Sequence, residues 1–422
     1  MLFNNLKFKQ DFLKNYFNSN FIRNNEFSII IILYFYSYVL GPAIVNIFTV
    51  ILAIYSLVYV CSKRRIFNKV EVFLSLFIFY IILKEIFFSS PINYNFLGIL
   101  RFYLIFLLIY KFKDQEINIF HIIFYSCLFI SVDGIFQYFF YYDFFGYPKY
   151  ESNRLTGVFG NEPIIGSFLI KFIFPILFYY LTIKTKRSFY AISILIIAFC
   201  IFLSGEKMAF IQLVFLSISM IIYLLIFKKN SLLSIKGNNL KFFGIFILII
   251  SSFLFFNQNY KNNRFYSLYN NISAYDYADI SNPSNIHFNN SFGNYVYNFA
   301  SALTIFQENR FFGNGYRDYN LNCKTKLQDS YLSAGCSTHP HNIAIEILTD
   351  HGILGLLLFY NFIFYLIFKN FSIKGRNYGF YISFIVLNFP FFTSQSIFSS
   401  YFGSIYFLIL YLNYYIYLKN RK

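Results

Sequence analysis

Long apolar runs, each closed by a short basic or polar stretch, recur from residue 28 to residue 418 and leave little room for any other kind of fold. They lie at roughly 28–41, 43–61, 70–88, 96–110, 117–141, 164–182, 189–204, 208–227, 242–256, 345–368, 378–397 and 400–418. Solid runs of this kind read as membrane helices, because in lipid the backbone must satisfy its own hydrogen bonds. A transmembrane barrel would show weaker, alternating segments of about ten residues. The expected fold class is all-α: a polytopic integral membrane helical bundle of about 12 transmembrane helices, with one large loop subdomain.

Composition excludes the competing classes. Only 13% of the 422 residues are charged and 58% are hydrophobic, which rules out a soluble multidomain enzyme, a disordered chain and a secreted disulfide scaffold. The net charge of +17 would point to nucleic acid in a soluble protein. Here its position decides. With the N-terminus placed in the cytoplasm, 23 of the 35 Lys and Arg fall in cytoplasmic segments, and every short loop on that side is basic. Both termini are therefore expected in the cytoplasm of a multi-pass membrane protein, with membrane lipid and no nucleic acid as partner. The chain has no Trp, so its 40 Tyr must serve as the interfacial aromatics.

The same reading divides the chain. Residues 1–26 form a cytoplasmic N-terminal segment, with no pattern for signal cleavage. Residues 27–256 hold helices 1–9 and a small outer loop at 142–163; residues 257–344 form the large outer loop; residues 345–422 hold helices 10–12 and a basic cytoplasmic tail. An amphipathic helix is expected at 295–308.

Polar chemistry gathers on the loop side. Four of the five histidines lie between 287 and 351. Pro340 ends any preceding helix, and Asn342 is a good N-cap for the apolar run that follows. That places His341 at a helix N-terminus, whose positive end disfavours the imidazolium; a neutral imidazole suits a general base. Its plainer reading is a capping histidine at the membrane surface. His339 and His341 lack a third ligand at a convincing spacing, so no metal and no cofactor are expected.

Two shorter segments add cations. In the loop from Asn153 to Pro163, Gly157 and Gly160 would let backbone approach a ligand, and Arg154 offers a planar fork for phosphate oxygens. Equally, Arg154 would meet lipid headgroups while the glycines only turn the chain. The tight turn Ser204-Gly205-Glu206-Lys207 reads as a second cation for a diphosphate, or as a hairpin ion pair. Lys84, Glu85, Arg101, Asp133 and Lys171 lie inside apolar runs, where ionisable groups are costly, and Lys84-Glu85 and Arg101 are placed to pair with each other. Cys323 and Cys336, thirteen positions apart, are expected to form a disulfide if their face is oxidising.

Together these segments resemble the bacterial O-antigen ligase and O-antigen polymerase superfamily. His341-Asn342, nine residues, then Gly352-Ile353-Leu354-Gly355 is similar to its His-Asn and Gly-x-x-Gly signature. Phe312-Gly313-Asn314-Gly315 resembles its Phe-Gly-x-Gly stretch, and Arg154 to Pro163, including Glu162, its Arg-x-x-Gly-x-Phe-x-Asn-x-Pro loop. Ser204 to Lys207 stands where that family has Ser-x-x-Arg, with Lys in place of Arg. The resemblance implies a metal-independent, inverting glycosyltransferase at the periplasmic face, with an undecaprenyl-diphosphate-linked glycan as donor. His341 would act on the acceptor hydroxyl, with Asn342 and His339 supporting it. Arg154, with Lys207 or Arg264, would hold the departing diphosphate. The acceptor would be lipid A-core for a ligase, a growing glycan for a polymerase working with a chain-length regulator, or a protein hydroxyl. A lipid-linked glycan flippase or other transporter is the reading from another class; it predicts charges lining a route through the spans.

Overall fold

The computed structural model describes residues 19–63, 66–88, 94–115, 120–150, 154–172, 187–227, 291–370, 378–390 and 392–420. Among these, all regular secondary structure is helical apart from one isolated bridge between Tyr142 and Pro148. The helices are α1 (Ser19–Leu40), α2 (Pro42–Ser62), α3 (Lys69–Phe88), α4 (Leu97–Leu108), α5 (Phe120–Phe140), α6 (Arg187–Leu203), α7 (Lys207–Phe227), α8 (Ser291–Glu308), α9 (Asp318–Lys326), α10 (Ile343–Asn370), α11 (Tyr378–Leu387) and α12 (Phe402–Asn420). A further helical stretch at 165–172 lies between α5 and α6.

Four stretches among the described residues are long and apolar enough to cross a membrane: Pro42–Ser62, Tyr94–Phe112, His121–Phe140 and Ile343–Asn370. With the shorter apolar helices around them, they make this an integral membrane protein. The expected span at 242–256, the N-terminal segment up to residue 18 and the loop from 257 to 290 lie outside the described residues.

Sequence periodicity is weak in these helices because the bundle has two apolar environments. α2 buries only one side, through Val45, Thr49, Leu52, Ala53 and Ser56, and leaves Ile47, Ile51, Ile54 and Val58 exposed. α12 is the opposite case: Ile405 through Leu418 are all buried, as expected of a helix that is apolar all round. α12 therefore forms the centre, packed by α1, α4, α10 and α11. Its tyrosines are tolerated there because they reach polar partners. Tyr411 donates to the Phe102 carbonyl at 2.9 Å and Tyr406 to Asn388 Oδ1 at 2.7 Å.

Two helices depart from the sequence expectation. The run at 378–397 was expected to be one span, but α11 stops at Leu387, because Pro390 lacks an N–H and disfavours helical backbone before it. Residues 388–390 and 392–401 then have no regular helix or strand. α10 breaks at Gly352, whose backbone (φ 68°, ψ −171°) is far from helical. The pairing of Lys84-Glu85 with Arg101 is not formed. Lys84 donates to the Asp350 carbonyl, Glu85 accepts from the Tyr316 N–H at 2.6 Å, and Arg101 donates to Asn46 Oδ1 at 3.1 Å.

Candidate active site

The break in α10 builds the site. A helix interrupted at Gly352 leaves carbonyls before the break and N–H groups after it without helical partners. Residues 310–315 supply them. Asn314 N–H donates to Thr349 O at 3.1 Å and Gly315 N–H to Asp350 O at 3.0 Å. In return, Ile353 N–H donates to Arg310 O at 3.0 Å and Leu354 N–H to Phe311 O at 3.2 Å. This exchange needs backbone against backbone. A Cβ on Gly313 would lie 2.3 Å from Gly352 N, and one on Gly352 would lie 2.3 Å from Phe311 O. Gly313 and Gly352 thus serve the chain's own close approach. The Tyr80 hydroxyl adds a tie, lying 2.9 Å from Phe312 O and 2.7 Å from His351 O.

The segment from Tyr316 to Pro340 is held over this splice. The Asp350 carboxylate accepts from the Arg317 N–H at 3.0 Å and the Tyr319 N–H at 3.3 Å. Tyr319 donates to Gly335 O at 2.7 Å, and Cys323 is bonded to Cys336 with Cα atoms 5.6 Å apart. α8, in the place of the expected amphipathic helix, packs on this segment and on α10.

His341 emerges from that frame with φ 55°, a left-handed conformation that side chains other than glycine rarely adopt. Such strain persists only where surrounding structure imposes it. Here the imposing contact is Ser394, whose N–H donates to His341 O at 2.8 Å and whose Oγ accepts from Ile343 N–H at 3.0 Å. Asn342 then caps α10: Oδ1 accepts from Ile345 N–H at 3.0 Å, while Nδ2 donates to Pro390 O at 2.6 Å and Phe392 O at 3.2 Å. With an acceptor and two donors on one amide, Asn342 ties the start of α10 to Pro390 and Phe392.

The His341 ring is half-buried, edge-on to Tyr295 (5.5 Å between centroids) and 4.1 Å from the His339 ring. Burial lowers its pKa below the ordinary 6.5. The neutral imidazole foreseen from the helix N-terminus thus has desolvation as its cause. His339 is buried more deeply and is pushed down to about 3, by burial first, then by His341 and Arg317, against the Ser394 carbonyl that raises it. His339 Nε2 lies 3.3 Å from that carbonyl and Nδ1 3.1 Å from Thr338 Oγ1. His339 therefore holds His341 in place. Among the described residues no group of three His, Cys, Asp or Glu is arranged to bind a metal ion.

The two cationic segments meet each other. Arg154 donates to Pro163 O at 2.6 Å and stands 3.9 Å from Glu206 Oε2, while its Nε is buried with no hydrogen-bond partner among the described residues. The Glu206 carboxylate accepts from Gly166 N–H at 2.7 Å and Ser167 N–H at 3.1 Å, capping the helical stretch at 165–172. Burial raises the Glu206 pKa; Arg154 and these N–H groups act against it. Lys207, half-buried, opens α7 directly after. Lys171 feels the same carboxylate.

The glycines of this loop turn inward. A Cβ on Gly157 would lie 2.9 Å from Ile165 Cδ1, and one on Gly160 3.6 Å from the Tyr147 ring. Gly157 packs closely against the chain itself, Gly160 is in ordinary contact with the Tyr147 ring, and both take a positive φ that turns the chain (51° and 64°). Glu162 is exposed, and its charge is felt by Tyr401 and Tyr38. Tyr401, stacked 4.4 Å from Tyr38, lies at the far end of the segment whose Ser394 grips His341. The 388–401 segment thus links the His341 and Arg154 parts of the site. Arg264 lies outside the described residues.

Sequence reasoning missed Ser394, Ser396, Glu346 and Asp350. Buried Glu346 accepts from Ser396 Oγ and from Ile397 N–H at 3.3 Å, fixing the same linking segment. The available signal was a carboxylate every four residues, at 346 and 350, inside an otherwise apolar run.

Residues 192–360 match the family model described as O-Antigen ligase. The matched stretch includes the turn at 204–207, His341 and the broken helix at Gly352; the Arg154 loop precedes it. A comparison with curated proteins finds no match.

Proposed function

We propose that the protein, whose residues 192–360 match the O-antigen ligase family model, transfers a glycan from a polyprenyl-diphosphate carrier to a sugar hydroxyl. The transfer would occur at the periplasmic face of the inner membrane, with undecaprenyl diphosphate as carrier and lipid A-core as acceptor. The observation that carries the reading is the strained, half-buried His341, kept neutral by its surroundings and linked through residues 388–401 to an Arg154 with an unspent donor.

In this reading the neutral His341 imidazole accepts the proton of the acceptor hydroxyl as its oxygen bonds to the anomeric carbon. The bond from that carbon to the diphosphate oxygen breaks, and its electron pair leaves with the diphosphate. Attack from the face opposite the leaving group inverts the anomeric centre. Negative charge grows on the leaving oxygen, and fixed cations there lower the barrier. Arg154 supplies one, with Lys207 and Arg264 assigned beside it, so the proposal needs no metal and no carboxylic acid. His339, in contact with His341 and hydrogen-bonded to Ser394 O, keeps the base oriented.

The test is a reconstituted transfer in lipid nanodiscs. Wild type and His341→Ala receive an undecaprenyl-diphosphate glycan with and without lipid A-core. Product that requires both lipid A-core and His341 is the expected result. A ladder made from donor alone would assign the protein as a polymerase instead. No His341-dependent product in either arm would overturn the transferase reading.

A further inference from the structure

Where α5 ends, the chain does not run outward. Tyr141 takes a left-handed conformation (φ 72°), and residues 142–148 form a hairpin that turns back along the helix it has just left. The ring of Phe144 lies 4.6 Å from Phe136, tilted by 38°, and 6.1 Å from Phe129, and Phe145 lies 6.4 Å from Phe129. The Phe144 N–H donates to Asp133 Oδ1 at 2.8 Å. Asp133 is seven residues before the end of α5, so at 1.5 Å per residue the hairpin backbone reaches about 10 Å back along the helix. Phe129 is eleven residues from that end, about 16 Å. The stretch His121–Phe140 is itself long enough to cross a membrane only if most of its length lies in hydrocarbon. A hairpin folded that far back lies below the membrane surface.

The hairpin is built as such a position requires. Irregular backbone at membrane depth must have its polar groups satisfied internally. From Asp143 to Tyr150 every backbone N–H has a protein acceptor. Asp143 donates to Tyr147 O (3.0 Å), Phe144 to Asp133 (2.8 Å), Phe145 and Tyr147 to Asp143 Oδ1 (2.9 and 2.6 Å) and Gly146 to Asp143 O (3.2 Å). Pro148 has no N–H, Lys149 donates to Tyr141 O (3.0 Å) and Tyr150 to Arg154 O (3.1 Å). Gln137, one turn above Asp133, donates to Tyr147 O at 3.1 Å and Pro148 O at 3.3 Å. A loop in water would leave such groups to solvent. The side chains it turns outward are aromatic: Phe145 is 62% exposed and Phe144 48%, continuous with exposed Phe129 and Val132 of α5, and Tyr141, Tyr142, Tyr147 and Tyr150 are exposed beside them.

We propose that residues 141–150 are a re-entrant hairpin seated in the hydrocarbon of the leaflet nearest the His341 end, with lipid tails as the partner of its exposed rings. Lipid is the occupant because the exposed rings continue the apolar flank of a membrane-spanning helix at the depth of its middle residues. Tyr147 on this hairpin faces the Gly160 backbone, so the buried wedge borders the Arg154 loop. A lipid carrier that brings a diphosphate to Arg154 would meet its apolar part here first.

Absence of Trp from the chain makes the test direct. Phe145→Trp gives a single reporter in full-length protein, placed in phosphatidylcholine nanodiscs with or without lipids brominated in mid-chain. The expected result is blue-shifted emission, strong loss of intensity with brominated lipid, and little loss with acrylamide in the water phase. Leu321→Trp on α9 is the aqueous reference and Ile54→Trp on α2 the lipid reference. Quenching of the Phe145→Trp reporter by acrylamide overturns the proposal, because the hairpin then lies in water. Protection from both quenchers also overturns it, since the rings would then be covered by protein. If Phe145→Trp does not fold, Phe144→Trp reports the same depth.

Discussion

His341 sits in a conformation that costs about 1–2 kcal/mol relative to an ordinary backbone, and the Ser394 N–H and the His339 ring hold it there. Replacing it with Ala should lower the transfer rate by about 10²–10⁴, the usual contribution of a general base, with the fold intact by thermal unfolding. The pH profile carries the sign of its environment. Burial disfavours the imidazolium, so the base stays unprotonated below 6.5 and the acidic limb of kcat/KM should fall below that value. A limb above 6.5 would count against burial as the controlling effect. At Asn342, Asp keeps the helix cap but loses the donors to Pro390 and Phe392, at a cost of about 1–3 kcal/mol in a thermal melt. The place of His341 and Asn342 at the start of α10 was legible in the sequence, because Pro340 and Asn342 fix the local geometry. Ser394 and Glu346 were not, since their partners are some fifty positions away and no local rule links them.

α10 is best understood as two helices joined by a splice. Its first piece, from Ile343 to His351, exchanges hydrogen bonds with residues 314–319 through Thr349 and Asp350. Gly313→Ala and Gly352→Ala should each cost about 1–3 kcal/mol from strain at positive φ, before the backbone contact is counted. Hydrogen exchange should show the loss concentrated in 309–319 and 343–354, and not in α2 or α12. The apolar runs revealed where helices lie, because twenty residues of that composition have one stable use in lipid. They did not reveal where helices stop. A glycine within an apolar run reads as tolerated, and only the approach of residues 310–315 turns Gly352 into a break. Pro390 was the one local sign that the expected span to 397 would end early.

For the whole molecule, the loop segments at the His341 end are held by bonds that ordinary packing does not replace. Cys323–Cys336 closes a loop of thirteen positions, worth about 3 kcal/mol on the chain-entropy model. Cys323→Ser with Cys336→Ser, or reduction of the wild type, should lower the thermal midpoint and speed proteolysis between 318 and 340. Acid should act at the same end. His339 has its pKa lowered on folding, so the unfolded chain binds more protons and stability rises with pH. Its contribution is complete above about 6.5 and is lost as pH falls towards 3. Melts of wild type from pH 7 to pH 4 should therefore decline more than those of His339→Phe. The membrane class followed from the apolar runs. The joining of the Arg154 and His341 parts did not, because residues 388–401 that link them have the composition of a span.

The splice at Gly352 also sets where this protein can be cut and recombined. Its two halves, residues 309–319 and 343–355, share one hydrogen-bond network although more than twenty residues separate them. A chimera that takes the loop from a relative and rejoins at the start of α10 would pair foreign glycines with native carbonyls across that network. Exchange of acceptor preference between relatives should succeed only when the junctions fall before residue 291 and after Gly355, so that both halves travel together.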